Sequence, residues 1–464
     1  MALNLDSIQL QHLMQFRLYP KDFLLENILF RGSSVTSFNM TATIELSNNA
    51  LHRLCQSYHQ YNEFKQPRTL EVLSYEHSAN ADTVTGFLGR HQFLTLKVRR
   101  IDAERNEHLE QVRFFTKSPP LELASRMEYV EEFGVFKKEV SVYRELMPQL
   151  QKIIPNVAPN CYYADERLLV FEHLADQNFR MAAGRDGILN YDHLHCVLKT
   201  LAALHASSII YEVRSGRKLN QLHPEAVVEN AYPVGIPETH VRKQNFNNAN
   251  RVFAELIKLL PKYHKNLDYI LVEFPKRMAM LFELAQTSDK YRNVFCHGDL
   301  WANNVMFQYS KSSKTPIQCR VVDFQLCRYA PPMLDVITIL TIPTSSSFRK
   351  QYLTELLDDY YCFMSKFLER ERLNIADYLP RQEFNETADK FRIVGLIESL
   401  LFSHLTDLPT ELAEAVTSSA NGFTDFFDAK RVEMCLEAFR TDDVYRERIT
   451  DMLEDFVDNF VLNN

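Results

Sequence analysis

One stretch of this 464-residue chain constrains its structure more than any other, the segment from Asn293 to Phe324. Its residue pattern predicts a strand, a tight loop, a second strand, a turn and a third short strand. Asp299, Asn304 and Asp323 fall at the ends of these strands. Such a set is poor material for a core, because a buried carboxylate is costly unless it is paired or bound to a metal.

The spacing of these three residues is typical of a phosphoryl-transfer site. In such a site one Asp orients the attacking hydroxyl, while an Asn and a second Asp bind Mg²⁺. We therefore predict a catalytic role for Asp299 and metal binding by Asn304 and Asp323. His297 is expected to support the loop through hydrogen bonds. Taken alone, His297-Gly298-Asp299 would be a polar turn, but the full pattern of strands and polar residues favours a functional site.

A candidate nucleotide-binding region lies upstream. Gly86 and Gly89 stand between two alternating strands and permit a turn whose N–H groups could cover phosphates, although such a pair is more often only a turn. The next strand ends in Lys117, which by itself would be an exposed lysine at a sheet edge. In the following helix Glu139 lies at the edge of an apolar stripe, where a carboxylate needs a cation. We predict a Lys117–Glu139 pair that directs the ammonium toward nucleotide phosphates.

Beyond this region the chain changes to helical periodicity. A buried strand leads into Glu172, where a two-lobed kinase would connect its lobes and where backbone groups would meet adenine. One later apolar stripe ends at His205, which is expected to be a hydrogen-bonded core residue, and Ser207 and Ser208 are expected to close that helix. Asp335 follows two prolines and would by default be a helix-start residue.

Composition limits the classes of partner. Hydrophobic residues at 46% and charged residues at 24% are ordinary for a globular protein. The formal net charge of −8 argues against nucleic acid as the main partner, which requires a basic face. The sequence shows no polybasic run, no signal-peptide pattern and no apolar run near the ~20 residues of a membrane span. The scattered cysteines favour free thiols, and a cytoplasmic location is expected.

The motifs resemble those of a known family. His297-Gly298-Asp299-Leu300-Trp301-x-Asn303-Asn304, followed by Val322-Asp323-Phe324-Gln325, is similar to the ecdysteroid-kinase-like (CHK kinase-like) family, which is characteristic of insects and related to choline and aminoglycoside kinases. Further matches are the glycine pair, Phe114-Phe115-x-Lys117, Phe136-Lys-Lys-Glu139 and Leu204-His205-Ala206-Ser207. The resemblance covers about residues 70 to 440.

This resemblance implies an α+β, protein-kinase-like fold with two lobes. Residues 70–173 would form a small antiparallel-sheet N-lobe with one helix. Residues 174–464 would form a mainly helical C-lobe with the catalytic loop 297–304. Residues 1–69 would be an extension packed on this kinase core.

The implied activity is transfer of the ATP γ-phosphate to a small-molecule hydroxyl, with ATP and Mg²⁺ as cofactors. The residues that match the family's functional positions are Asp299 as base, Asn304 and Asp323 as Mg²⁺ ligands, Lys117 with its partner Glu139 at the phosphates, Gly86, Gly89 and Glu172 at the nucleotide, and Asp335 as a brace for the catalytic loop.

The acceptor is left open at this point. Gln325 replaces the glycine of the protein-kinase Asp-Phe-Gly motif, and no Ala-Pro-Glu segment follows, so a protein substrate is disfavoured. Ecdysteroids and hydroxylated plant or xenobiotic compounds are acceptor classes that the resemblance suggests. The alternatives are a catalytically silent relative that binds a nucleotide or apolar ligand, and a choline- or aminoglycoside-type kinase with an anionic acceptor pocket.

Overall fold

The computed structural model of the protein describes residues 46–61, 69–79, 89–102, 104–120, 124–182, 187–418 and 430–463. The prediction for Gly86, and most of the prediction for residues 1–69, lie outside these ranges. Within residues 1–69 the structure gives one helix, α1 (Asn48–Tyr61). Its Tyr58 packs edge-on against Phe114 and Tyr162 of the neighbouring sheet, with ring centroids 5.6 and 5.5 Å apart.

The first large element is a five-stranded antiparallel sheet in the order β1-β2-β3-β5-β4. In β2, Leu94, Leu96 and Val98 are buried at every second position, as expected for one face of a strand. Because β3 lies between β2 and β5, Lys117 at its end is buried rather than exposed at an edge. The strands are β1 (Thr69–Ala79), β2 (Arg90–Ile101), β3 (Glu107–Ser118), β4 (Cys161–Ala164) and β5 (Leu169–Glu172).

A helical run connects β3 to β4 and packs against this sheet. Gly134, with φ of 60°, separates the first two helices of the run. The second helix buries Phe136 and Val140, the stripe expected from the sequence, together with Glu139. The run consists of α2 (Ala124–Phe133), α3 (Val135–Ser141), a π-helical turn (Val142–Leu146) and α4 (Met147–Ile153).

The rest of the described chain is mainly helical. Two small sheets interrupt it: an antiparallel sheet in the order β6-β8-β9 and the antiparallel pair β10-β7. The strands are β6 (Phe179–Met181), β7 (Val294–Cys296), β8 (Val305–Tyr309), β9 (Pro316–Val321) and β10 (Arg328–Ala330). The helices are α5 (Tyr191–Ser215), α6 (Leu219–Leu222), α7 (Pro224–Val227), α8 (Val241–Lys258), α9 (Leu267–Met278), α10 (Met280–Leu284), α11 (Met333–Thr341), α12 (Ser346–Arg370), α13 (Arg381–Thr406), α14 (Thr410–Ser418), α15 (Arg431–Thr441) and α16 (Asp443–Val457).

Helix α5 is longer than the sequence suggested, and the prediction that Ser207 and Ser208 close it is wrong. Their hydroxyls donate to Leu204 O at 2.7 Å and to His205 O at 2.8 Å, so both are satisfied within the helix. The helix ends only at Gly216, whose φ is 67°. By length and composition α5 could cross a membrane, but 78% of the window that qualifies it is buried inside the structure, as in a core helix.

Candidate active site

Three short strands position the polar residues that were predicted from the sequence. Strand β7 leads directly into His297, β8 begins directly after Asn304, and β9 ends two residues before Asp323. A backbone hydrogen bond from Val322 N to Asn304 O, at 3.0 Å, ties the ends of these segments together. Asp323 has a φ of 70°, in the left-handed region that Asp tolerates better than most residues.

Asp299 and Asn304 are in direct contact. The Asn304 side-chain nitrogen donates to Asp299 O at 2.8 Å and to Asp299 Oδ2 at 3.2 Å. Gln325 Nε2 approaches the same carboxylate oxygen at 3.4 Å. Burial, followed by the negative charge of Asp323, raises the pKa of Asp299 to about 7. A carboxylate in this setting is a stronger proton acceptor than a solvated one.

Lys117 connects the sheet to this group. Its Nζ lies 2.6 Å from Glu139 Oε2 and 2.6 Å from Asp323 Oδ1. Only 6% of the Lys117 side chain and 1% of the Glu139 side chain are exposed, so this is a buried ion pair. Burial by itself would lower the pKa of Lys117, but the charges of Asp323 and Glu139 reverse that shift and raise it. The contact expected between Lys117 and Glu139 is confirmed.

The Asp335 carboxylate holds the proposed catalytic loop by accepting hydrogen bonds from the backbone of the loop. Its Oδ2 accepts from His297 N at 2.6 Å, and its Oδ1 accepts from Gly298 N at 2.9 Å. His205 lies 3.2 Å from Asp335 Oδ2 through Nε2 and 2.7 Å from the Tyr360 hydroxyl through Nδ1. Burial would raise the pKa of Asp335, but the hydrogen bond and charge of His205 lower it. His205 is therefore the hydrogen-bonded core histidine that the sequence predicted.

Arg328 is a residue of this site that the sequence analysis missed. It is fully buried, and its Nη2 donates to Gly298 O at 3.2 Å while its Nε lies 3.1 Å from Glu229 Oε2. Gly298 has a φ of 76°, and a Cβ there would lie 2.3 Å from Leu326 O and 2.8 Å from Arg328 Nε. The only sequence signal is an arginine inside the otherwise apolar strand β10.

Gly89 and Glu172, two further residues that the sequence analysis placed at the nucleotide, have different surroundings. A Cβ on Gly89 would lie 3.0 Å from Lys117 Cε, so any side chain there would press on the lysine. The Glu172 carboxylate accepts from Asn160 N and from Gln177 Nε2, both at 2.9 Å. Its side chain is therefore engaged in fixing the connection between sheet and helices, and a nucleobase contact through the backbone stays a prediction.

Of the residues described above, Lys117, Glu139, Glu172, Asp299, Asn304, Asp323 and Gln325 line a cleft of about 750 Å³. The sheet and the helical part of the fold each supply one wall of this cleft. The sheet-lobe wall consists of Phe93, Phe115 and Phe171. The helical-lobe wall consists of Tyr232, Arg242, Phe246, Trp301, Leu401, Phe402, Leu405 and Arg431. Trp301 also packs against Phe402, with ring centroids 6.1 Å apart, so it both packs and lines the cleft.

The donor set in the cleft fits a hard divalent cation. Asp299, Asn304 and Asp323 supply carboxylate and amide oxygens, which Mg²⁺ prefers. Because the Asn304 amide nitrogen donates to Asp299, the amide oxygen is the atom that a cation would use. The carboxylates of Asp299 and Asp323 give the site an excess of negative charge that such a cation would neutralise.

This arrangement of a small antiparallel sheet and a helical lobe around a polar cleft is that of protein-kinase-like proteins. The predicted α+β fold class is confirmed. The chain belongs to the ecdysteroid kinase-like family, whose sequence profile matches residues 92–373.

Several solved structures are similar to this chain at low identity. An ethanolamine kinase from Plasmodium vivax is 13% identical, with a TM-score of 0.36, 88% of this chain covered and 94% of that chain covered. Wild-type aminoglycoside 2'-phosphotransferase-IIIa in its GDP complex is 15% identical, with a TM-score of 0.31 and coverages of 89% and 100%. A choline/ethanolamine kinase family protein from Mesorhizobium loti is 12% identical, with a TM-score of 0.31 and coverages of 83% and 92%. No curated protein sequence matches the chain.

His404 also lines the cleft, and its burial should make the stability of the fold depend on pH. Burial and the positive charge of Arg431 lower its pKa to about 3. In the unfolded chain this histidine has an ordinary pKa of about 6.5 and is protonated below that pH, while in the folded protein it stays neutral. The folded state is therefore destabilised relative to the unfolded state as pH falls below about 6.5. His404→Asn keeps a donor for Leu400 O and removes the titration. Between pH 6.5 and 4 we expect the wild type to lose about 1.4 kcal/mol per pH unit relative to this variant.

Urea unfolding at a series of pH values measures this difference. The two stability curves should run parallel above pH 7 and converge or cross below it. Curves that stay parallel down to pH 4 would show that His404 is not held neutral by its surroundings.

Proposed function

We propose that this protein is a Mg·ATP-dependent small-molecule kinase, which transfers the γ-phosphate to a hydroxyl of an ecdysteroid-like or other hydroxylated compound. The observation that carries the proposal is the Lys117 ammonium, 2.6 Å from both Glu139 and Asp323, residues that lie far apart in the chain. Phosphoryl-transfer enzymes of this fold need a lysine held by a glutamate and a metal-binding aspartate at the same place. The family membership supports the same class of activity.

In this proposal each polar residue has one role. Asp299 aims the acceptor hydroxyl and accepts its proton, and its raised pKa suits that role. Lys117, fixed by Glu139, contacts the phosphates of the nucleotide. A magnesium ion held by Asn304 and Asp323 would neutralise the charge that develops on those phosphates. Asn304 also donates to the Asp299 carboxylate, which restricts the rotation of the proposed base.

The helical-lobe wall favours an apolar acceptor over a cationic one. A choline- or aminoglycoside-type acceptor would call for clustered carboxylates. Among the described residues of the cleft the carboxylates are those of Glu139, Glu172, Asp299 and Asp323, and none belongs to the helical-lobe wall. That wall is aromatic and aliphatic except for its two arginines, and the same helices add Asn245, His404 and Thr406 to the cleft lining but no carboxylate. Large apolar ligands are bound by surfaces of this type.

One observation supports a second candidate, a catalytically silent relative that binds nucleotide or ligand. Lys117 contacts Asp323 directly, so the aspartate proposed for the metal already has a cation as partner. In an active kinase this contact must give way to phosphate and metal when the nucleotide enters. A protein whose unfolding temperature rises with Mg·ATP, but which phosphorylates no member of an acceptor panel, would be the silent relative.

The role of Asp299 is tested by its amide variant. With a panel of hydroxylated sterols, phenols and amino alcohols, Asp299→Asn should lower kcat by about 10²–10⁴-fold, the usual contribution of a general base. Asp289→Asn removes an exposed carboxylate ten residues upstream and should leave the rate unchanged. Equal rates for wild type and Asp299→Asn would remove Asp299 from the mechanism.

The acceptor wall is tested by truncating one ring. Phe402→Ala should raise KM for an apolar acceptor about tenfold, because burying a phenyl side chain contributes about 1.5–3 kcal/mol. KM for ATP should not change. Phe367→Ala is the matched control, since Phe367 is also a half-buried ring on a helix but does not line the cleft. Preference of the wild type for cationic amino alcohols would contradict the proposed acceptor class.

A further inference from the structure

Lys138, next to Glu139 in α3, is a buried lysine whose ammonium bonds to three acceptors of the helical lobe. Only 3% of its surface is exposed. Its Nζ donates to Val228 O at 2.5 Å, to Asn230 Oδ1 at 2.6 Å and to Cys327 O at 2.8 Å. An ammonium has three N–H donors, so the three acceptors match its full donor capacity.

Three consecutive residues of α3 reach in three directions, because successive residues of an α-helix are about 100° apart. Lys137 is in solvent, with 74% of its side chain exposed, and lies 3.3 Å from Glu225. Lys138 reaches the helical lobe. Glu139 pairs with Lys117 of the sheet. The helix that carries Glu139 is therefore fixed on both sides.

The acceptors of Lys138 belong to segments that support the cleft. Val228 and Asn230 follow α7, in the segment that also carries Tyr232 of the helical-lobe wall. Asn230 Nδ2 donates to Phe133 O at 2.6 Å, which attaches the same segment to the residue before Gly134.

Two further contacts extend the connection to the catalytic loop. Glu229, between two of the Lys138 acceptors, lies 3.1 Å from Arg328, and Arg328 donates to Gly298 O at 3.2 Å. Cys327, the third acceptor, immediately precedes Arg328. Through neighbouring residues of the chain, these polar contacts connect α3 to the residue before Asp299.

The surroundings keep Lys138 charged at neutral pH. Burial lowers its pKa to about 8, and the charge of Glu229 opposes that shift while Arg328 and Arg242 add to it. The ammonium therefore remains the main form at pH 7. Replacing it with an apolar group would leave the buried Cys327 carbonyl without this donor, which is costly, and would remove the partly buried contacts to Val228 and Asn230.

We propose that Lys138 is a positioning residue, which fixes α3 to the helical lobe and so keeps Glu139 beside Lys117. This inference rests on the proposed function, because it gives Lys138 a part in holding the pair proposed to contact phosphate.

Hydrogen exchange of the full chain without nucleotide tests the attachment. In Lys138→Met, amides of α3 and of residues 228–232 should exchange about tenfold faster than in the wild type, since both segments lose a shared contact. Lys137→Met, the neighbouring exposed lysine, should exchange like the wild type. Unchanged exchange in Lys138→Met would overturn the proposal whatever the protein does with ATP.

Mg·ATP affinity tests whether Lys138 acts through Glu139. Lys138→Met should weaken binding about tenfold in the wild-type background, a usual size for coupled contacts, and much less in a Glu139→Gln background. A purely structural role would weaken binding by the same factor in both backgrounds, and that result would overturn the positioning role.

The outcomes separate this inference from the proposed function. A wild type that binds no Mg·ATP refutes the proposed function and with it the positioning role, while the exchange measurement still decides whether Lys138 attaches α3. Lys138→Arg keeps the charge but presents its donors in a planar fork. This variant is used if Lys138→Met does not fold. It should lose part of the protection of α3 against hydrogen exchange and part of the affinity for Mg·ATP. Full retention of both would contradict the proposal.

Discussion

The contact of one buried ammonium with two carboxylates is the interaction on which the cleft depends. Lys117 comes from the sheet, Glu139 from α3 and Asp323 from the segment after β9. Removing one partner of such a group would leave an uncompensated buried charge, which costs about 3–5 kcal/mol. The contact therefore holds the three segments together, and all three residues line the cleft.

The same cluster explains why the site suits a cation and a polyphosphate. One ammonium faces two carboxylates, and Asp299 adds a third nearby. Burial raises the pKa of Glu139 to about 7 even though the charge of Lys117 opposes that shift. Burial is the largest cause of the raised pKa values of Glu139 and Asp299, and the charge of Asp323 adds to it in both cases. Around Lys117 three carboxylates face one ammonium, a local excess of negative charge that a divalent metal would relieve.

Around this cluster, buried charged residues bond to backbone groups as well as to side chains. Asp335 accepts two N–H groups of the proposed catalytic loop, and Arg328 donates to a carbonyl of the same loop. Lys138 donates to the carbonyls of Val228 and Cys327, the residues before Glu229 and Arg328. Charge-assisted bonds to backbone fix main-chain geometry directly. The side chains proposed to react are thereby positioned by contacts within the protein itself.

The sequence predicted the parts of this site that depend on local spacing. Asp299 and Asp323 follow strands that could be recognised, Asn304 directly precedes one, and Glu139 lay beside an apolar stripe. Lys138 could not be distinguished from Lys137, because both are lysines of one helix and their difference in burial is set by distant segments. Arg328 was missed for the same reason. The length of α5 was misjudged because serine hydroxyls bond back into a helix as readily as they end it.

The most direct test of the central claim, that these residues form one Mg·ATP site, is calorimetric titration of ATP with and without Mg²⁺. We predict that Mg²⁺ strengthens ATP binding to the wild type by tenfold or more, on the order of one charge-assisted contact, and that Asp323→Asn abolishes this gain. ATP binding that is indifferent to Mg²⁺, or a gain that survives in Asp323→Asn, would contradict it.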